Sequence, residues 1–275
     1  KHMKKQVEIS IITGVYNPQP GPLLGAVQSM IRQSCEDWEW ILYDDGSNEE
    51  YAVLIRRAAA LDGRILVFRN SQNHGLAYAL NECLRCADGR YIARMDADDL
   101  SAPDRLSKQR RFLDNHPQYQ WVGSNAELFD GSGVWGFQKM PEIPQRKDFL
   151  FNSPYIHPSV MFRKETLLKN GGYRVSPKYR LCEDYELFMR LHRNGGRGYN
   201  LQQPLFRYRE DYESQKKRNY RRRVRETSLR YHGFRELGIL NRNTFPYVLK
   251  PLAVGATPAS HHRRIRRRMK EKKET

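Results

Sequence analysis

The run RMDADD, residues 94 to 99, places Asp96, Asp98 and Asp99 within four positions of a chain whose formal net charge is +17. Two carboxylates 4 Å apart near a protein surface repel by about 4 kcal/mol, so either a cation sits among them or the loop lies in water. Carboxylates can hold a divalent cation, an economical means of neutralising a diphosphate. No GxGxxG follows the first strand-like run and GxxxxGK[ST] is absent, so no glycine-rich turn is evident to offer backbone N–H groups to phosphates. The rival reading of the cluster is a solvated loop in which Asp99 or Ser101 caps the next helix.

Polar groups follow each of the first four strand-like runs. TGVYN (13–17) follows the first, DDGS (44–47) the second, RNSQNHG (69–75) the third and DADD (96–99) the fourth. The runs themselves, VEISIIT (7–13), WEWILYDD (38–45), RILVFRN (64–70) and RYIARMD (90–96), are rich in Ile, Val, Tyr and Trp. Between them LLGAVQSMIRQS, EEYAVLIRRAAAL and GLAYALNECLRCA carry apolar residues at three-and-four spacing, the helical period. This alternation predicts an α/β fold: a Rossmann-like, mostly parallel sheet with right-handed crossovers and helices on both faces. Ligands on such sheets lie beyond the carboxyl ends of the strands, where these polar groups would meet.

Beyond residue 100, PDRLSKQRRFLDNH reads as a helix with Pro103 near its first turn, YQWVGSNAELFD as a strand and GSGVW as a hairpin. HPSVMFR (157–163) reads as a strand and KETLLKNGGY as a short helix stopped by Gly171 and Gly172. Glu183 and Asp184 open a helix, EDYELFMRLHRNGG, with Leu187, Phe188 and Leu191 toward the core, and LQQPLFRYRE closes the body. Trp121 and Tyr155 are expected as core aromatics rather than sugar-stacking ones. Cys83 and Cys86 have metal-knuckle spacing, but they lie on an apolar helical pattern with no second pair. Buried thiols in a reducing compartment are the expectation.

The ordered set DDGS, then N-x-G-x-x-x-A-x-N as NHGLAYALN, then GRYIARMDADD, HPSVMFRKE with GGY, and CEDYELFMRL closely resembles the family 2 glycosyltransferases of bacterial surface-polysaccharide synthesis. The resemblance spans residues 7 to 210 and implies the GT-A fold, a nucleotide-diphospho-sugar donor, Mn²⁺ or Mg²⁺ as cofactor and inversion at the anomeric carbon. It divides the chain into a leader with a tag remnant (1–6), a nucleotide-binding half (7–100), an acceptor-binding half (101–210) and a basic, mainly helical extension (211–275). Asp98 would then bind the metal, and Asp96, with Ala97 beside it, would contact the ribose or the metal's water shell. Asp45 would accept a hydrogen bond from the uracil imide, with Asp44 as a second contact. Thr13, Tyr16 and Asn17 would line base and ribose, mostly through backbone, with Asn73 and Gly75 beside the nucleotide. Arg69 would reach base or phosphate, and His157 would lie near the donor sugar, holding metal or a phosphate oxygen. Asp184 would be the general base that a single in-line displacement requires, with Glu183 a contact to donor or acceptor sugar. Taken without the resemblance, the helix dipole accounts for an Asp in a first turn, a turn into a helix accounts for DDGS, and a structural role for a His before Pro.

The charge is unevenly placed. Residues 1–210 hold 29 Lys and Arg against 25 Asp and Glu, a net of +4, whereas 211–275 hold 19 against 6, a net of +13. The runs 215–238 and 261–275 suit the anionic cytoplasmic face of a membrane, and equally RNA or DNA. Family members often extend lipid-linked acceptors, which implies the membrane. Neither a membrane span nor a secretory leader is evident, and the expected location is cytoplasmic, peripheral at the inner face of the membrane. The Q-x-x-R-W motif of processive synthases is missing, so transfer of one sugar, or very few, is expected. Two rival functions are weighed. A nucleotidyltransferase would also use paired aspartates and a metal, but the chain lacks a G-x-G-T-R signature. A nucleic-acid binder fits pI ≈ 9.8, but not the near balance of the body.

Overall fold

A computed structural model describes residues 7–210 and 220–255. The four strand-like runs form β1 (Ile9–Val15), β2 (Trp38–Asp45), β3 (Ile65–Asn70) and β4 (Tyr91–Arg94), all parallel, in the order β3-β2-β1-β4. The helical patterns form α1 (Pro20–Ile31), α2 (Glu49–Ala59) and α3 (Leu76–Cys86). Strands β1 and β2 are buried along almost their whole length, as parallel strands covered on both faces must be. Helix α3 lies close on β1 because Gly14 and Ala79 are both small: a Cβ added to Gly14 would come within 2.8 Å of the Ala79 Cβ. Cys83 and Cys86 carry no disulfide, and Cys83 is fully buried beneath β1 and β2.

The second half adds β5 (Leu100–Ser101), α4 (Arg105–Asn115), the hairpin β6 (Trp121–Asp130) and β7 (Gly133–Gln138), β8 (Met161–Arg163), α5 (Lys164–Lys169), α6 (Glu183–Arg193) and β9 (Gly198–Arg209). The sheet continues β4-β8-β6-β9-β5, with β7 on β6. Strands β1, β2, β3, β4, β6 and β9 run one way and β5, β7 and β8 the other, so the sheet is mixed but parallel-dominated. The strand expected over 157–163 is shorter. His157–Ser159 form a 3-10 turn and pairing begins at Met161, because Pro158 has no N–H to give a ladder. Strand β5 was not anticipated, since two residues carry no periodicity and only pairing with β9 defines them.

Two further helices follow, α7 (Tyr220–Glu236) and α8 (Phe245–Gly255). Helix α7 runs alongside α6. Leu229 and Phe234 join the core formed by Cys182, Tyr185 and Met189, a Cβ on Gly233 would overlap the Met189 sulfur, and Arg193 pairs with Glu236 at 2.8 Å at the far end. Arg230 is fully buried. It pairs with Glu226 at 3.0 Å and donates to the carbonyls of Leu150 (2.9 Å), Phe151 (3.2 Å) and Tyr247 (3.3 Å), tying α7 to α8 and to the body. Part of the basic charge read as a surface run is therefore internal. Residues 215–219 and 261–275 of those runs lie outside the described residues. Among the described residues no helix is long and apolar enough to cross a membrane.

Replacing Arg230 by Ala removes the guanidinium that bridges three carbonyls and Glu226 inside the α6–α7–α8 junction, leaving Lys250 on the Phe151 carbonyl and Arg223 near Glu226. The expected cost is about 2–4 kcal/mol in urea unfolding, and proteolysis should then release α7 and α8 first. A loss within experimental error would mean that the junction is held by apolar contact alone.

Candidate active site

The cation among the three aspartates is Arg94, the last residue of β4. Its side chain is fully buried, donates to Asp96 Oδ1 at 2.5 Å and also to the Met95 carbonyl. Residues 94 and 96 share a face under the two-residue period of extended chain, which delivers the guanidinium under its own acidic loop. A second fully buried arginine, Arg105 at the start of α4, donates to the Arg94 carbonyl at 2.7 Å and to Gln109 at 3.0 Å. Burial draws Arg105 down to about 9, still protonated at neutral pH. Asp99 points inward. Its Oδ1 accepts from the Arg209 backbone N–H at 2.7 Å, while Oδ2 is buried with no hydrogen-bond partner among the described residues. Burial, then repulsion from Asp98 and Asp96, pushes Asp99 well above the ordinary carboxylate range. Arg209 also donates to the Asp98 carbonyl at 2.9 Å, so the end of β9 fastens the loop, and the Asp98 side chain is exposed at its tip. The capping alternative fails: Asp104, not Asp99 or Ser101, stands at the N-cap of α4.

The neighbouring strand ends form one rim. Asn17, in a left-handed conformation (φ 45°), donates its N–H to the Ser47 hydroxyl oxygen (2.9 Å) and accepts the Asn48 N–H at its side chain (2.9 Å), joining the ends of β1 and β2. Asp44 accepts the Ser47 N–H at 2.9 Å and pairs with Arg69 at 3.2 Å. Arg69 also pairs with Glu49 at 2.6 Å and donates to the Ser47 carbonyl at 2.8 Å. Asp45 accepts the N–H groups of His74 (3.0 Å) and Gly75 (2.6 Å) and so holds the start of α3. Gly46 (φ 77°) is needed there, because a Cβ would fall 2.5 Å from the Gln72 backbone. Asn73 is exposed and meets Arg180 at 3.4 Å, Tyr16 is half exposed, and Ala97 is partly exposed. Thr13 is not on the rim. It is fully buried, donating to the Met95 carbonyl at 2.7 Å and accepting from Trp40 at 3.0 Å, so it sets the height of the acidic loop from beneath.

His157 is buried and shares a 2.8 Å hydrogen bond with the Tyr173 hydroxyl. Burial, reinforced by the Arg94 charge, holds it well below the usual histidine range and therefore neutral. Tyr173 is clamped in turn by Asn81, whose amide exchanges two 2.8 Å bonds with the Tyr173 backbone. The last Asn of NHGLAYALN and the GGY segment are thus two halves of one contact. Gly172 (φ 62°) belongs to it, since a Cβ there would press on the Asn81 amide oxygen. The Tyr173 phenol feels Arg94, Asp184, Glu183 and Asp96, so it lies between the two acidic groups of the site.

The second acidic group opens α6. Leu181 ahead of it has φ 68°, and it and Asn17 are the non-glycine residues with positive φ among the described residues. Both outliers flank the rim, where strain held by the surroundings is a pointer to function. Glu183 is buried and Asp184 partly so. Burial, then the Asp184 charge, raises Glu183 to about 7. Burial also raises Asp184, and Arg222 from the first turn of α7 pulls it back. Arg222 is held there by a hydrogen bond to Cys182 and by the Glu226 charge. Sequence reading missed Arg94, Arg105, Asn81, Tyr173 and Arg222 as parts of the site. The 94/96 alternation was a readable signal for the first, whereas nothing local announces Arg222.

The parallel-dominated sheet, with its acidic and amide rim at the carboxyl ends of the strands, has the GT-A architecture. The description "Glycosyl transferase family 2" matches residues 10–171, and the chain belongs to that family. It is 37% identical over 259 residues to EpsE of Bacillus subtilis (strain 168), which carries a glycosyltransferase name, covering 94% of this chain and 92% of that protein. It is 30% identical over 207 residues to the amylovoran biosynthesis glycosyltransferase AmsE of Erwinia amylovora, covering 73% and 75%. Among solved structures, the mannosyltransferase PcManGT of Pyrobaculum calidifontis, in complex with GDP-Man and Mn²⁺, aligns with TM-score 0.63 at 17% identity, covering 92% of this chain and 77% of that one. Staphylococcus aureus TarS 1–349 in complex with UDP-GlcNAc aligns with TM-score 0.63 at 19% identity, covering 86% and 72%. The chain is a family 2 glycosyltransferase.

The donor set fits a hard divalent cation. No cluster of three or more ligating side chains exists among the described residues, but Asp98 and Asp96 offer carboxylate oxygens at the rim beside the orphaned Asp99 Oδ2. Such a set suits an ion that takes its remaining oxygens from phosphate and water.

Glu183 makes stability pH-dependent. Its folded value near 7 exceeds the ordinary 4.5, so the folded chain retains a proton the unfolded chain has lost, and stability falls as pH rises from about 4.5 to 7. Glu183→Gln should therefore stabilise the protein by about 3 kcal/mol above pH 7 and by nothing below pH 4.5. Thermal melts across that range would show a constant difference if the ionisation cost is absent.

Proposed function

We propose that the protein is an inverting glycosyltransferase moving one sugar from a nucleotide-diphospho-sugar to a hydroxyl of a glycan or lipid-linked saccharide at the inner face of the membrane. UDP-hexose or UDP-N-acetylhexosamine is the preferred donor class. The observation that carries the reading is Tyr173 between two acidic groups: Asp96, next to the exposed Asp98 of the strand rim, and Asp184 with Glu183 at the strained start of α6, with Arg222 beside it.

Tyr16, Asn17, Asp44, Asp45, Asn73 and Gly75 bind the nucleoside. Asp45 shares its carboxylate between the His74 and Gly75 amides and the base, within the four acceptor sites a carboxylate has. Arg69 orients Asp44 and Ser47, and its role toward the nucleotide is to brace the loop that meets it. Asp98 and Asp96 would hold Mn²⁺ or Mg²⁺, and the ion would supply positive charge to the departing diphosphate. Arg94 aims Asp96. His157, neutral and tied to Tyr173, shapes the floor beneath the donor sugar rather than supplying charge. Asp184 takes the proton of the acceptor hydroxyl in the single displacement, and Glu183 contacts a sugar hydroxyl.

Asp98→Ala should abolish the Mn²⁺-dependent rise in melting temperature with UDP-sugars, since ligand affinity appears as stabilisation. Asp184→Asn should keep that rise and lose about 10²–10⁴-fold in transfer, scored as UDP release with acceptor present. Equal turnover by Asp184→Asn and wild type would remove Asp184 from the base role.

Arg222→Gln withdraws the positive charge that opposes burial at Asp184, and leaves Glu226 and Glu183 facing it. A base must be ionised to act, so the acid limb of the kcat–pH profile should move to higher pH, with little change in the alkaline limb. A unit drop in rate at every pH, with the limb unmoved, would mark Arg222 as structural only.

A further inference from the structure

We infer that the α7–α8 hairpin is an interfacial docking element, whose apolar outer face enters an anionic lipid surface while neighbouring arginines meet the head groups. The inference deepens the reading of a lipid-linked acceptor at the membrane and rests on it.

Helix α8 is built from FPYVLKPLAVG, and its buried side is Val248 and Pro251. On the other side Phe245 and Leu249, four residues apart and so on one face, are each 44% exposed, with Ala253 one turn further also exposed. Helix α7 repeats the pattern. Tyr220 (62% exposed), Val224 (48%) and Tyr231 (40%) fall on one stripe at spacings of four and seven, opposite the stripe of Leu229, Arg230, Gly233 and Phe234 that is buried. Arg221 and Arg235 are exposed beside that stripe. The hairpin is rigidly attached to the body through Arg230, so these side chains are presented, not tethered loosely.

The sequence flanking the hairpin on both sides is more basic than apolar. Residues 211–219, DYESQKKRN, hold one aromatic residue, and 256–275 hold Ile265 and Met269 as their large aliphatics, amid eight Lys and Arg against two Glu. The complementary surface is therefore apolar and negatively charged together. A nucleic acid supplies the charge but has no use for Leu249 and Val224, because strand binding relies on stacking and phosphate contacts. An anionic bilayer supplies both, and stable peripheral attachment needs two such signals at once. The first turn of α7 also carries Arg222 to Asp184 on the side away from that stripe, so the docking helix is the one that braces the site.

The test is flotation of the full chain with phosphatidylcholine vesicles, with and without phosphatidylglycerol, at moderate salt. Wild type is expected to float only with phosphatidylglycerol present. The double variant Phe245→Glu with Leu249→Glu should float at least about tenfold less, with unchanged melting temperature and unchanged UDP release on a soluble acceptor. Variant and wild type floating alike would overturn the inference, leaving the basic segments to act alone. So would wild type that ignores phosphatidylglycerol, or that is retained by single-stranded RNA and not by vesicles. UDP release is scored separately, so failure of the transferase reading would appear there and not in flotation.

Discussion

A guanidinium sealed under a cluster of like charges is the constraint on which this molecule turns. Arg94 cannot be buried without a partner, because the desolvation of an isolated charge exceeds what any neighbouring packing returns. Asp96 is that partner, at 2.5 Å, and Arg105 secures the carbonyl of Arg94 itself. The pair makes an acidic loop tolerable on a sheet edge, and it also determines its surroundings. The same positive charge helps keep His157 neutral, which lets the imidazole share a hydrogen bond with Tyr173, and Tyr173 is in turn fixed by Asn81 of α3. One buried cation thus links three of the five segments that carry the family resemblance.

The second acidic group obeys different physics. Glu183 and Asp184 stand at a helix N-terminus, where the dipole favours anions, yet burial raises both. A carboxylate that must accept a proton benefits from such a compromise, since a strongly depressed one would be a poor base. What keeps Asp184 usable is a cation from another part of the chain. Arg222 arrives because α7 lies along α6, locked by Gly233 against Met189 and by Arg193 with Glu236. The extension after residue 210 is in this sense continuous with the catalytic half and not an appendage to it.

The charge asymmetry of the sequence takes on two meanings. Arg230 is interior and Arg222 faces Asp184, while Arg221 and Arg235 remain on the surface next to exposed Tyr220, Val224 and Tyr231. A sum of charges cannot separate these, because a helix carries its buried and solvent stripes in the same run of letters. Only the helical phase, set by Leu229, Gly233 and Phe234, tells which arginine is which.

Much of the architecture was legible from the chain alone. Strands β1 to β4 and helices α1 to α3 declared themselves by period, since apolar spacing is a local property enforced by covering a sheet on both faces. The rim followed, because parallel strands must all end on the same side, and so DDGS, NHG and DADD had to converge. Local letters could not decide which of those side chains would turn inward. Thr13 and Asp99 point into the body, Asp45 spends its oxygens on the amides of α3, and β5 exists only because β9 lies beside it. Those outcomes depend on contacts between residues dozens of positions apart, where the direction of a side chain is chosen by whichever distant donor or apolar surface lies within reach. Periodicity fixes the face a residue occupies, and tertiary packing alone decides what waits for it there.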